Sequence, residues 1–193
     1  PHHENEIAQS DALTHKTFAK YWLHSHTLTF NAEKMSKSLG NIMLTRDFIR
    51  KYSAEVLRFF LLSGHYRSTI DYSESHVKEV QSALHRFYTA LTKAELGASA
   101  TPTATLKPTP EEEKVQSFSK EFDSKWKEAM DEDLNTAKVI GLVFEYVRLL
   151  NAYIDKKGFK PTAQTQSICA SFVQSFKTLS QVLNIFVEAP KEF

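Results

Sequence analysis

Apolar residues recur at helical spacing through most of this chain, and that periodicity constrains its fold more than any other feature. Val77, Val80, Leu84, Phe87 and Leu91 fall at steps of three and four, so on a helix they share one face. Val115, Phe118, Phe122, Trp126 and Met130 form a second such stripe, Val139, Val143, Val147, Leu150 and Ile154 a third, and Ile168, Phe172, Phe176, Leu179, Leu183 and Phe186 a fourth. Four amphipathic helices bury their stripes most simply against one another, as an antiparallel bundle. The aromatic members could stack on nucleobases, but their helical spacing assigns them to core packing instead.

Breaks between the stripes set the organisation. Ser73 stands where an N-cap opens the first long helix, predicted over 73–95. Gly97 to Pro110 is rich in Ala, Thr and Pro, with almost no core-forming residues, and reads as a linker. Lys156-Lys157-Gly158-Phe159-Lys160-Pro161 has the cations, glycine and proline of a helix C-terminus. Upstream, Thr45 and Ser53 are expected N-caps of two short helices, one carrying Phe48 and Ile49, the other carrying Val56 to Leu61 and ending at Gly64. Thr27-Leu28-Thr29-Phe30 alternates like a short strand, with Asn31-Ala32 as a turn. Tyr21-Trp22-Leu23-His24 is apolar enough to belong to a core. The resulting division is 1–44, 45–72, and a bundle of 73–96 and 111–193 joined by the linker 97–110.

Composition narrows the class. With 193 residues, 41% of them hydrophobic and 24% charged, the chain can build one sizeable domain or two small ones. Val56 to Leu62 is far too short to span a bilayer and contains Arg58, so no membrane role is expected. A single cysteine allows no disulfide framework and suits a reducing cytosol, and hence a cytoplasmic protein. Cys169 lies in the apolar run Ile168-Cys169-Ala170-Ser171-Phe172, where a buried structural thiol is expected. The net charge of +1 excludes a generic polyanion binder, but its distribution is uneven. Asp11 to Lys51 carries seven Lys or Arg against three acids, whereas Pro110 to Asp133 carries nine acids against four lysines. Phosphate contact is therefore expected near the N-terminal third.

The clearest chemistry lies in Glu33-Lys34-Met35-Ser36-Lys37-Ser38-Leu39-Gly40-Asn41. Lys34 and Lys37 each bring three donors and a compact charge on a flexible stem, and the backbone N–H groups around Ser36, Ser38 and Gly40 can turn toward an anion. Such a run suits a triphosphate. It matches the KMSKS loop of class I aminoacyl-tRNA synthetases. Three further stretches occur in family order: Pro1-His2-His3-Glu4-Asn5-Glu6-Ile7-Ala8-Gln9-Ser10, Phe59-Phe60-Leu61-Leu62-Ser63-Gly64-His65-Tyr66-Arg67-Ser68, and Met130-Asp131-Glu132-Asp133-Leu134-Asn135-Thr136-Ala137. Together they resemble the bacterial-like cysteinyl-tRNA synthetases over roughly the first 150 residues.

That resemblance implies a mainly α chain: the C-terminal edge of a Rossmann-type α/β catalytic domain with the lysine loop, a stem-contact region, then a helical tRNA-binding bundle of the anticodon-binding kind. It implies a monomeric parent that uses cysteine, ATP and tRNA(Cys). The cysteine carboxylate attacks the α-phosphate of ATP to give cysteinyl-adenylate and pyrophosphate, and the acyl group then passes to the tRNA ribose. Lys37, supported by Lys34, would be the catalytic lysine, and Lys34, Ser36, Lys37 and Ser38 would hold the ATP phosphates. Arg46, Arg50, Lys51, Arg58 and Arg67 are candidates for RNA phosphate contacts by composition, although Arg58 also fits an ordinary exposed helix position.

By spacing alone, His2 and Glu6 are four residues apart and would share one helix face, more often as a surface pair than as metal ligands. The resemblance implies instead that they complete a Zn²⁺ site with two cysteines located earlier in the family's sequence. Zinc would select cysteine because a bound thiol loses its proton and forms a Zn–S bond, which serine's harder hydroxyl cannot match. Neither those cysteines nor the family's HIGH-type motif occurs here, and the chain begins inside a family stretch. A fragment, inactive alone and holding zinc weakly or not at all, is therefore expected, with sequence missing at both ends. Two other readings remain: a non-catalytic helical tRNA-binding module, and a cysteine ligase of the mycothiol pathway.

Overall fold

A computed structural model describes residues 1–34, 43–102 and 107–188. Its larger part is the helical bundle. Helices α4 (Glu74–Ser99), α5 (Pro110–Asp131), α6 (Thr136–Ile154) and α7 (Ala163–Leu183) carry the four stripes. Helix α4 lies along α7 and α5 along α6, while contacts of α5 with α7 and of α4 with α6 close the ring. Gln166, early in α7, donates from Nε2 to the Ala100 carbonyl just past α4 at 2.6 Å, so those two helices run antiparallel. Phe87, Phe122, Tyr146 and Phe172, one from each helix, are fully buried. The Tyr146 ring lies 4.9 Å from Phe122 and 4.7 Å from Phe172 in tilted and edge-on contacts that add to the area they bury.

Side-chain caps start each bundle helix. Ser73, Thr109, Asn135 and Thr162 accept the backbone N–H of His76, Glu112, Lys138 and Thr165 respectively, and Pro110 occupies the first turn of α5, where its missing donor costs nothing. Two boundaries differ from the periodicity. Helix α4 runs through Gly97 to Ser99, because Gly97 is where α4 and α7 approach: a Cβ there would lie 2.5 Å from Cys169 Sγ. The linker of the sequence reading thus begins after α4. Phe186 is not on α7, which stops when Asn184 turns left-handed (φ 52°). Phe186 (φ 61°) then folds back against Phe176, ring centroids 5.0 Å apart.

The N-terminal part comprises α1 (His2–Thr14), β1 (Leu28–Phe30), β2 (Glu33–Lys34), α2 (Thr45–Lys51), α3 (Ala54–Leu62) and β3 (Ile70–Tyr72). The strands form a mixed sheet in the order β2-β1-β3. β1 and β2 are antiparallel, with Thr29 opposite Lys34, while β1 and β3 are parallel, with Thr29 opposite Asp71. The crossover between β1 and β3 contains α2 and α3, and α3 packs on α4 and α6. Tyr72 ties the sheet to these helices through ring contacts with Phe30, Phe48 and Phe60 at 5.2, 6.0 and 6.2 Å.

Two further expectations are corrected here. Thr45 is the first residue of α2 rather than its cap, since Leu44 holds the extended cap position and makes no side-chain bond; Ser53 does cap α3. Tyr21 and Leu23 are 85% and 53% exposed rather than core, because no described element covers them. Among the described residues, no helix is long and apolar enough to cross a membrane.

Candidate functional site

The approach to the lysine run is built by three strands. Asn31 and Ala32 both adopt left-handed backbone (φ 49° and 64°) between β1 and β2. Asn31 N–H donates to the Tyr72 carbonyl at 3.0 Å, and Ala32 N–H donates to Asp71 Oδ1 at 2.7 Å. The Thr29 hydroxyl donates to the same carboxylate oxygen at 2.6 Å. The hydroxyl first and the Ala32 amide second hold the Asp71 carboxyl below its usual range. Lys34 is the second residue of β2; Ser36, Lys37 and Ser38 lie outside the described residues. The sequence reading passed over Asp71. Its signal was the alternation Ile70-Asp71-Tyr72 immediately before the Ser73 cap, a strand too short for periodicity to register.

The candidate phosphate contacts divide by partner. Lys51 of α2 is hydrogen-bonded to Glu74 at the start of α4, and Arg50 stands 4.0 Å from Asp47. Arg67 donates from Nε to Asp133 Oδ2 at 2.6 Å, and the Tyr66 hydroxyl donates to Asp133 Oδ1 at 2.6 Å. Two of the stretches quoted above therefore meet in space. Asp133 and Leu134 are left-handed (φ 55° and 53°) in the α5–α6 turn, which presents that carboxylate outward. Arg67, then Tyr66, holds the Asp133 carboxyl below its usual range. Arg46 and Arg58 are exposed.

His2 and Glu6 share one face of α1, with Nε2 and Oε1 3.2 Å apart and both side chains open to solvent. Beside them His3 Nδ1 lies 2.7 Å from His24 Nε2, and the His3 ring stacks on His24 at 4.7 Å and tilts against Trp22 at 5.0 Å. Among the described residues, no three His, Cys, Asp or Glu side chains are grouped to hold a metal. Two donors on one helix face are half of a tetrahedral zinc set. They do not make one. The only cysteine is elsewhere: Cys169 is fully buried in the bundle, where burial pushes its thiol up to about 11.

Comparison with known proteins agrees with this geometry. Residues 1–82 match the model of the class I (C) tRNA synthetase catalytic domain, and residues 125–187 match the DALR domain. The cysteine--tRNA ligase of Thermodesulfovibrio yellowstonii is 40% identical over 195 residues, and that of Oleidesulfovibrio alaskensis 42% over 193; each alignment takes in 100% of this chain and 39% of the relative. The chain thus spans about two-fifths of the length of these curated relatives. Its fold resembles that of a leucyl-tRNA synthetase of Agrobacterium radiobacter K84, solved with tRNA and LeuAMS, at a TM-score of 0.62 and 16% identity over 96% of this chain and 26% of that one. The structure of a putative arginyl-tRNA synthetase from Campylobacter jejuni aligns at a TM-score of 0.57 and 13% identity over 84% of this chain and 39% of that one. With both domain matches in family order around a lysine run of the synthetase type, the chain belongs to the cysteinyl-tRNA synthetase family of class I tRNA synthetases.

Proposed function

We propose that this chain serves ATP-dependent ligation of cysteine to tRNA(Cys), carrying the lysine half of the adenylate-forming site and the helices that face the tRNA. The observation that supports it best is the hairpin of β1 and β2, which leads from a turn tied to β3 directly into Lys34 and the lysine run. In the first step the cysteine carboxylate attacks the ATP α-phosphate, and the bond to the pyrophosphate breaks. Negative charge grows on the leaving oxygens, so a lysine that engages them most tightly in that state lowers the barrier more than it aids ground-state binding. Lys37 takes this role with Lys34 in support, and the backbone amides around Ser36 and Ser38 add donors. The acyl group then passes to the terminal ribose of the tRNA.

His2 and Glu6 supply two donors for the zinc of this reading, and no catalytic step is assigned to the metal. The test is ATP–pyrophosphate exchange with cysteine, followed by tRNA charging, in the full-length ligase carrying this stretch. Lys37→Ala is expected to lower the exchange kcat by roughly 100-fold or more while changing the KM for ATP by only a few-fold. Equal losses in both would count against the assignment, and exchange without charging of any tRNA would point to an aminosugar as acceptor.

A further inference from the structure

The turn before the lysine run poses a physical question. Two successive non-glycine residues, Asn31 and Ala32, hold left-handed backbone in the two-residue loop between the paired Phe30 and Glu33, where a tight hairpin turn needs positive φ at both positions; asparagine tolerates that conformation, whereas for alanine it costs energy. Ala32 has no polar side chain with which to stabilise it. Besides the β1–β2 pairing that closes the hairpin, the turn is held from β3, 39 residues further along the chain: Asp71 Oδ1 accepts the Ala32 N–H at 2.7 Å and the Thr29 hydroxyl at 2.6 Å, and the Tyr72 carbonyl accepts the Asn31 N–H at 3.0 Å.

We propose that Asp71 is a positioning residue for the lysine run, setting from β3 the direction in which the chain leaves β1 and enters Glu33–Lys34. This rests on the reading of that run as the grip on the ATP phosphates. Three features carry it. Asp71 stands directly opposite Thr29 in the parallel β1–β3 register, so its carboxylate reaches the turn without spanning a gap. Both bonds to it are charge-assisted, which makes them the strong kind. The strand that bears it runs straight into the Ser73 cap of α4, so the same short segment fixes both the approach to the lysines and the first helix of the bundle. Asp71 touches no substrate in this scheme. It acts through backbone placement, where a displacement of about 1 Å can cost on the order of 100-fold in rate.

The test measures ATP–pyrophosphate exchange in the full-length ligase, with melting temperature and tRNA affinity as controls. Asp71→Ala is expected to lower kcat by roughly 10- to 100-fold while leaving the KM for ATP within about three-fold, since placement rather than binding is lost. Asp71→Asn keeps an oxygen where both donors need it and is expected to recover most of that loss. Thr29→Val removes one of the two donors and should give a smaller loss in kcat; it carries the test alone if Asp71→Ala does not fold. Unchanged kcat in Asp71→Ala or in Thr29→Val, or an Asn variant as damaged as Ala, overturns the positioning role. If Lys37→Ala lowers exchange and Asp71→Ala does not, only the positioning role falls. If Lys37→Ala leaves exchange intact, the reading of the lysine run falls with it.

Discussion

Gly97 lies inside α4 against α7, and an added methyl there would meet Cys169 Sγ at 2.5 Å but Cys169 Cβ only at 3.4 Å. The obstacle is therefore one sulfur atom, and it decides the sign of a substitution. Alanine in a helix interior is favoured over glycine by about 1 kcal/mol, whereas forcing a methyl into a filled contact costs about 1–3 kcal/mol. Gly97→Ala is expected to destabilise the protein and to become neutral or stabilising in a Cys169→Ala background, a coupling that a double-mutant cycle in chemical denaturation reads directly. From sequence alone Gly97 opened a linker, since Ala, Thr and Pro follow it. The close approach of two helices separated by some 70 residues is not written in its immediate neighbours. Cys169 was readable as a buried thiol because its apolar periodicity is local.

At the scale of elements, the buried Glu55 joins three of them. It lies on α3 at 4% exposure, accepts the Tyr88 hydroxyl of α4 at 2.8 and 2.9 Å, and accepts the backbone N–H groups of Phe186 and Val187 from the segment after α7. Nothing in the apolar run around Glu55 announced this, because its partners come from distant parts of the chain. Burial pushes its carboxyl above the ordinary 4.5, against the opposing pull of Tyr88 and the Phe186 amide. A carboxyl raised in the folded state binds its proton more tightly there than in the unfolded chain. Its stabilising contribution is thus fully present below the unfolded value near 4.5 and is lost as pH rises through the folded value. Glu55→Gln, which keeps an acceptor oxygen, should remove this downward slope of unfolding free energy with pH when both proteins are titrated by denaturant. Glu55→Ala should cost roughly 1–3 kcal/mol, because the Phe186 and Val187 amides lose their acceptor.

Across the whole molecule, basic residues count toward nucleic-acid binding only where no carboxylate has already claimed them. Arg67 is held by Asp133 and Lys51 by Glu74, whereas Arg46 and Arg58 are exposed and have no carboxylate within ion-pair distance among the described residues. Measured as tRNA affinity across a salt series, Arg58→Ala and Arg46→Ala are each expected to reduce the slope of log K against log salt by about 1. Arg67→Ala is expected to leave the slope unchanged, its charge being already compensated. The sequence by itself determined the four bundle helices, the short strand before the lysine run and the family, because hydrophobic period, caps and an ordered motif set are carried by neighbouring residues. Only the tertiary structure decided that Gly97 is a helix contact, that Phe186 turns back into the core, and that Asp71, Glu55 and Asp133 are junctions. Each of those depends on which distant groups the fold brings within hydrogen-bond or van der Waals reach, and local pattern carries no record of that choice.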